Sequence, residues 1–379
     1  MENNIKKWFS IIFCAMLIIT MGLCFAKPAA SFSESENRVL AQMPKFEIAS
    51  VISGKFMEDI EAFSTDQFPM RSVIVSINSH IEKLLMKKDS NGVFFADDDY
   101  LIEKPATTDF KIATNNFNAI KKMSEVIDCK ASVMLVPTAY EVLSHKLPNG
   151  AYSPIQNDVS ALGEQILSNS NATFINPTQL LKEHKDEYIY FKTDHHQTAY
   201  GSYLSYKHLC DELGIVAYEE SDFVKKDMSE MFYGTMWSKA PLFSIKPDTI
   251  SIYEPKFEID FLVNYVAENK TTNSFYETEW LNKKDKYSMY FDGNHPLINI
   301  SSSNKNGKTL AVFKDSYANS ILPLLANHYE KIYVIDLRYY NTNPIDYLEQ
   351  NNVDDVLVLY NTANFMTDTN LVKLSAFIK

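Results

Sequence analysis

Apolar residues run without a charge from Trp8 to Ala26, directly behind Lys6 and Lys7. This is nearly the length at which a helix crosses a bilayer, about 20 apolar residues. The two lysines on its amino side, with Glu34 and Glu36 beyond it, predict an N-terminus inside and the rest of the chain outside. A cleaved secretory signal usually has a shorter apolar region, roughly 7–15 residues, so the pattern favours an uncleaved anchor. Cys24-Phe25-Ala26 is the alternative, a cleavage site that would release a secreted protein. The expected location is therefore the cell membrane, single-pass through residues 8–26, with the C-terminal part extracellular.

Lys27 to Pro44 is polar and ends at a proline, which reads as a stalk or extended arm. Apolar positions then recur at helical spacing through Phe56, Ile60 and Phe63, and again through Val73, Ile77, Ile81 and Leu84. They predict two helices flanking an Asp66–Arg71 turn. Val93 to Ile102 reads as two short strands around an acidic turn, and Phe110 to Ile127 as an amphipathic helix. From Ala131 the pattern is strand then helix: Ala131–Pro137, a helix near Ala161–Ser168, Ala172–Ile175, and a helix near Gln179–His184. Continuous apolar strands return at Thr309–Phe313, Lys331–Ile335 and Val353–Leu359, separated by helices near Ser316 and Ile345–Gln350. Such strands are usually covered on both faces, which predicts an α/β fold with a parallel sheet flanked by helices. Glu219–Asn299 shows the least regular pattern and is expected to be an irregular insertion, lid or cleft wall. The domain reading is an anchor over 1–26, a stalk and helical module over 27–90, and an α/β domain over 91–379.

With 379 residues and 46% hydrophobic content, the chain can bury a large core. Its formal charge of −12 argues against a nucleic-acid partner, because phosphate binding needs clustered Lys and Arg and no such run occurs. Of four cysteines, Cys14 and Cys24 fall in the apolar run, leaving Cys129 and Cys210. One disulfide is possible, but two isolated small apolar residues is the simpler reading, and neither has zinc or redox spacing.

Two segments carry candidate chemistry. Ser316 sits where a buried strand gives way to a helix, so its hydroxyl would stand at the carboxyl edge of the sheet beside free helix N–H groups. A serine there can equally be a simple helix cap. Asp194, His195 and His196 follow a short apolar stretch, and in extended chain Asp194 and His196 share a side while His195 faces away. A carboxylate orienting an imidazole toward a serine is the arrangement of serine acyl-transfer enzymes, which reach it with different chain orders.

The phrase TDHHQTAYGSY, with FKDSYANS downstream, resembles the DHHW protein family of Gram-positive bacteria. DGNHPL at Asp292–Leu297, YVIDLRYYN at Tyr333–Asn341, SENR at Ser35–Arg38, DQFPMR at Asp66–Arg71 and LVPTAYEVLSHKLP at Leu135–Pro148 also fit. That family is similar to the SGNH-hydrolase-like proteins of alginate O-acetylation. The resemblance implies an SGNH-like domain in which Ser316 is nucleophile, His196 general base and Asp194 its orienting acid. It further implies O-acetylation of an exported polysaccharide, without a cofactor or metal, with a multi-pass membrane O-acyltransferase delivering acetyl groups. Gln197 stands where the family name expects Trp, and Lys314 where an SGNH enzyme usually has Gly. The loop after Ile335 also lacks the oxyanion-hole glycine, so the second oxyanion donor is left open among Asn364, Asn361 and Asn294, beside the Ser316 N–H. His195, Tyr317 and Trp237 are substrate-cleft candidates, Trp237 being better explained by ordinary packing.

Two rival readings follow from the same residues. Asp194, His195 and His196 could instead hold a divalent metal in a phosphoesterase, although Asp97–Asp99 and Asp354–Asp355 look like exposed turns and not further ligands. A polysaccharide-binding or scaffold protein that keeps the fold without its chemistry is the rival from another class.

Overall fold

The computed structural model describes residues 2–26, 28–33 and 38–378. It divides into two compact units, Met1–Lys87 with Ser238–Phe243, and Lys88–Trp237 with Ser244–Lys379.

In the first unit a helix covers Glu2–Ala26. Among the described residues no helix is long and apolar enough to cross a membrane, which corrects the expected single-pass anchor and the location drawn from it. The expected arm pairs Phe32–Ser33 with Arg38–Val39. Of the Ser35–Arg38 motif, only Arg38 is among the described residues, and Glu34 and Glu36 lie outside them. Helices Lys55–Asp66 and Arg71–Leu84 flank the DQFPMR turn as the periodicity predicts. That turn holds the arm in place: the Gln67 side chain accepts from the Ala30 N–H and donates to the Ala30 and Ala41 carbonyls.

The second unit is built on an eight-stranded sheet. In chain order its strands are β1 (Lys130–Val136), β2 (Ala172–Ile175), β3 (Phe261–Tyr265), β4 (Lys270–Thr272), β5 (Leu297–Ser302), β6 (Thr309–Lys314), β7 (Lys331–Ile335) and β8 (Asp355–Asn361), arranged β4-β3-β5-β7-β6-β8-β1-β2. Strands β7, β6, β8, β1 and β2 are mutually parallel. β5 joins β7 antiparallel, and β3 and β4 continue antiparallel outward. The expected parallel sheet is therefore a mixed one. Of the three added strands, β3, β4 and the first half of β5 come from Glu219–Asn299, expected to be irregular; this segment also forms the antiparallel pair Phe223–Phe232 and Asp248–Pro255. Short strands with exposed or mixed faces leave little periodic signal, which is why the pattern missed them.

Alternation along the parallel strands sorts side chains into two cores. Leu310, Val312, Leu357 and Leu359 face one side with helices α3 (Ala199–Leu213) and α4 (Ala318–Leu325). Ala311, Phe313, Val356 and Val358 face the other, with α1 (Lys111–Val126), α2 (Ile155–Leu167) and α5 (Pro344–Gln350). Burial on both faces is what the unbroken apolar strands required. Cys129 and Cys210 are free thiols. Thr198 caps α3, accepting from the Gly201 N–H at 3.2 Å. A Cβ at Gly201 would lie 2.1 Å from the Ile189 carbonyl oxygen, so only glycine lets α3 approach the preceding chain this closely. Gly201→Ala is expected to destabilise the folded chain by about 1–3 kcal/mol through overpacking, read as a lower urea midpoint by circular dichroism. An unchanged midpoint would contradict the close approach.

Candidate functional site

The carboxyl ends of the four central parallel strands converge on one cavity of about 280 Å³. Thr138 follows β1, Ser316 follows β6, Arg338 follows β7 and Asn364 follows β8, and all four line it. Open α/β sheets gather ligands at this edge because side chains of consecutive loops meet there.

Ser316 lies on the turn between β6 and α4, partly exposed. Its Oγ is 2.9 Å from His196 Nε2, and His196 Nδ1 is 2.6 Å from Asp194 Oδ1. The loop carrying the two acts as a closed turn, with the Phe191 N–H donating to the His196 carbonyl and the Thr198 N–H to the Ile189 carbonyl. Asp248 fixes its bottom by accepting from the Lys192 N–H (2.9 Å), the Thr193 N–H (2.7 Å) and hydroxyl, and the Tyr188 hydroxyl. Asp194 Oδ2 accepts from the Thr235 N–H and hydroxyl at 2.8 and 3.0 Å. A Cβ at Gly234 would stand 2.3 Å from that same oxygen, so glycine is required beside the carboxylate.

Burial pulls the His196 imidazole down to about 4, with His195 adding to the effect and Asp194 opposing it. The ring is therefore neutral at physiological pH and free to accept a proton. For Asp194, burial pushes the carboxyl up, but the neighbouring histidines and its N–H donors outweigh it and hold the group well below the carboxylate range. Tyr287 stacks flat on His196, ring centres 3.6 Å apart and planes 8° from parallel, and its hydroxyl donates to the Ser316 carbonyl at 3.2 Å.

The other expected residues separate. His195 lines the cavity and bonds Thr235 Oγ1 through Nδ1 at 2.8 Å. Tyr317 is buried, outside the cavity lining, with its hydroxyl donating to the His195 carbonyl. Trp237 is also outside that lining; it packs on Tyr233 with the Lys284 ammonium 4.4 Å over its ring. Asn361 and Asn364 both reach the cavity, but each donates to Asp315 Oδ2, at 2.7 and 3.1 Å. Asn294 accepts from Lys314 Nζ at 2.7 Å. The Ser316 N–H has no hydrogen-bond partner among the described residues.

Lys314, fully buried, sits 3.6 Å from Asp336 Oδ2, and Arg338 grips the same carboxylate through Nε and Nη2 at 2.9 and 2.6 Å. Burial lowers the Lys314 ammonium to about 8, with Asp336 pulling the other way. Two departures from the SGNH pattern, the lysine before the serine and the glycine-free loop after β7, are thus partners in one ion cluster. Sequence reading missed Arg338, Thr235, Asp248 and Tyr287. Arg338 could have been found from its place just beyond a buried parallel strand, whereas the other three lie where no periodicity marks them. For a metal, Asp194, His195 and His196 form the only group among the described residues with ligand atoms within 4.8 Å of one another.

These features define an α/β domain with a mixed sheet and a Ser-His-Asp cluster at its carboxyl edge. Residues 96–335 match the DHHW protein family, and the chain belongs to that family. No curated protein matches it in sequence. Among solved structures, a DHHW family protein from Eubacterium siraeum is 25% identical with a TM-score of 0.65, covering 76% of this chain and 95% of its own. Bacillus cereus PatB1, solved with a sulfonyl adduct, is 23% identical with a TM-score of 0.62, covering 74% and 97%. The O-acetyltransferase domain of Pseudomonas putida AlgJ is 11% identical with a TM-score of 0.48, covering 75% and 98%. The second likeness is one of fold, and the third is too shallow to bear on activity.

By NMR, the His196 ring is expected to titrate near pH 4, remaining neutral above it and protonating as pH falls through it. A titration near 6.5, the ordinary histidine value, would contradict the burial that lowers it.

Proposed function

We propose that the protein is a serine O-acetyltransferase acting on a polysaccharide hydroxyl, with ester hydrolysis as the same chemistry when water is the acceptor. The observation that carries this reading is the unbroken chain from Ser316 Oγ through His196 to Asp194 at 2.9 and 2.6 Å. In the proposed reaction His196 Nε2 takes the Ser316 proton as Oγ bonds the acetyl carbonyl carbon. The donor alcohol then leaves with that proton from His196. An acceptor hydroxyl next gives its proton to His196 and attacks the acyl-serine, and Ser316 leaves and is reprotonated. Asp194 stays ionised throughout and holds the Nδ1–H. The Ser316 N–H and the second amide hydrogen of Asn364 are the proposed oxyanion donors. Polysaccharide as acceptor rests on the motif likeness to alginate-type O-acetylation proteins, and so does a membrane O-acyltransferase as the acetyl source.

The clustered ligand atoms of Asp194, His195 and His196 favour a second reading, a divalent-metal hydrolase. Hydrolysis of a chromogenic acetyl ester by the wild type separates the two: Ser316→Ala and His196→Ala are each expected to lose roughly 10³-fold or more in kcat/KM, and a chelator is expected to change nothing. Retained activity in Ser316→Ala together with loss on chelation would favour the metal reading and overturn the acyl-serine route.

A further inference from the structure

The cavity that holds Ser316 also presents a cation with a fixed orientation. Arg338 uses Nε and Nη2 on Asp336, so its guanidinium plane is locked, and its third nitrogen, Nη1, makes no hydrogen bond among the described residues. Burial opposes its charge, but the bonds to Asp336 keep it protonated. Asp336 is buried and shared with Lys314, so it is not a carboxylate that could turn away and release the arginine. The other charged lining residues are Glu103, Asp194 and Lys104; Asp194 is taken up by His196 and Thr235, and Lys104 is paired with Asp89 at 3.0 Å. Arg338 is thus the lining cation that is held rigidly by a buried partner while one of its nitrogens stays unbonded.

A planar guanidinium held by one edge offers its remaining N–H groups to carboxylate or phosphate oxygens. The cavity of about 280 Å³ lies just below the usual range for ligand sites, roughly 300–1,000 Å³, so it admits about one sugar unit. An anion on Arg338 would therefore belong to the unit being acylated or its immediate neighbour. On a chain of formal charge −12, an anionic polymer is repelled at long range, and a local cation inside the cavity is what can hold it. We infer that Arg338 forms a subsite for an anionic group, a carboxylate or a phosphate, on the acceptor polysaccharide beside Ser316. This rests on the acyl-transfer reading for the word acceptor, while the binding itself does not.

The test measures binding by calorimetry to the full chain carrying Ser316→Ala, so that no turnover is needed. Three probes are compared: an oligogalacturonate, its neutral methyl ester, and a glycerol-phosphate oligomer. At least one charged probe is expected to bind tenfold or more tightly than the methyl ester. Adding Arg338→Gln is expected to remove that preference, and Arg338→Lys to restore part of it. Which charged probe depends on Arg338 identifies carboxylate or phosphate as the source. Should Arg338→Gln fail to fold, Arg338→Lys is compared with the parent on the same three probes: a weakened preference is expected, and one unchanged from the parent would overturn the subsite. Equal binding of charged and neutral probes, binding of neither charged probe, or a preference unchanged in a folded Arg338→Gln would overturn the subsite. Loss of esterase activity in Ser316→Ala bears only on the acyl-transfer reading, so the two can fail separately.

Discussion

The hydrogen bond between His196 Nε2 and Ser316 Oγ joins groups 120 residues apart in the chain. Forming it requires a turn after β6 and a loop before α3 to meet within about 3 Å, and most of the second unit serves that meeting. The parallel register of β6 with β7 and β8 sets where Ser316 emerges, and the seat of α4 on α3 keeps the serine turn beside the histidine loop. From below, Asp248 accepts from the loop's donors and Thr235 donates to Asp194, which together fix the loop from which Asp194 and His196 project. Tyr287 closes the arrangement by touching both the imidazole and the serine backbone. Each contact removes a freedom that would otherwise cost the base its alignment with the hydroxyl.

The buried cluster of Lys314, Asp336 and Arg338 has a different logic. Burying a lysine and an aspartate is costly, and such a pair is weak support for stability in itself. Its placement directly under the serine turn gives it another use, because Lys314 Nζ also bonds Asn294 and Asn319 and so ties the DGNHPL loop to the start of α4. Where an SGNH enzyme has glycines, this chain has a charge cluster whose exposed end is a guanidinium lining the cavity.

Much of the second unit was legible in the sequence because its strands are buried on both faces. Val133–Val136, Leu310–Phe313 and Val356–Leu359 are continuous apolar runs, and the helices between them repeat at the helical period. Ser316, His196 and Asp194 were legible for local reasons, a serine at a strand end and a carboxylate two residues before an imidazole. What failed was the part whose side chains face different surroundings at each step. β3 mixes exposed and buried positions and β4 buries none, so an antiparallel extension of the sheet was read as an irregular insertion. Thr235, Asp248 and Tyr287 sit in that same segment, and their contribution depends on contacts that no spacing encodes. The apolar N-terminal run carried a strong signal, yet the described residues hold no helix fit to cross a membrane. Family motifs were uneven guides: Asp292 proved a local tie, accepting from Trp280 Nε1 at 2.6 Å.

The central claim is that Ser316 carries the acyl group. The direct measurement is to mix the protein with a chromogenic acetyl ester, quench in acid and locate any acetyl group by peptide mass mapping. The account predicts one acetyl on Ser316, absent from the His196→Ala protein over the same interval. Ester turnover with Ser316 unmodified at every time point, or acetyl found on another residue and still present in Ser316→Ala, would contradict it.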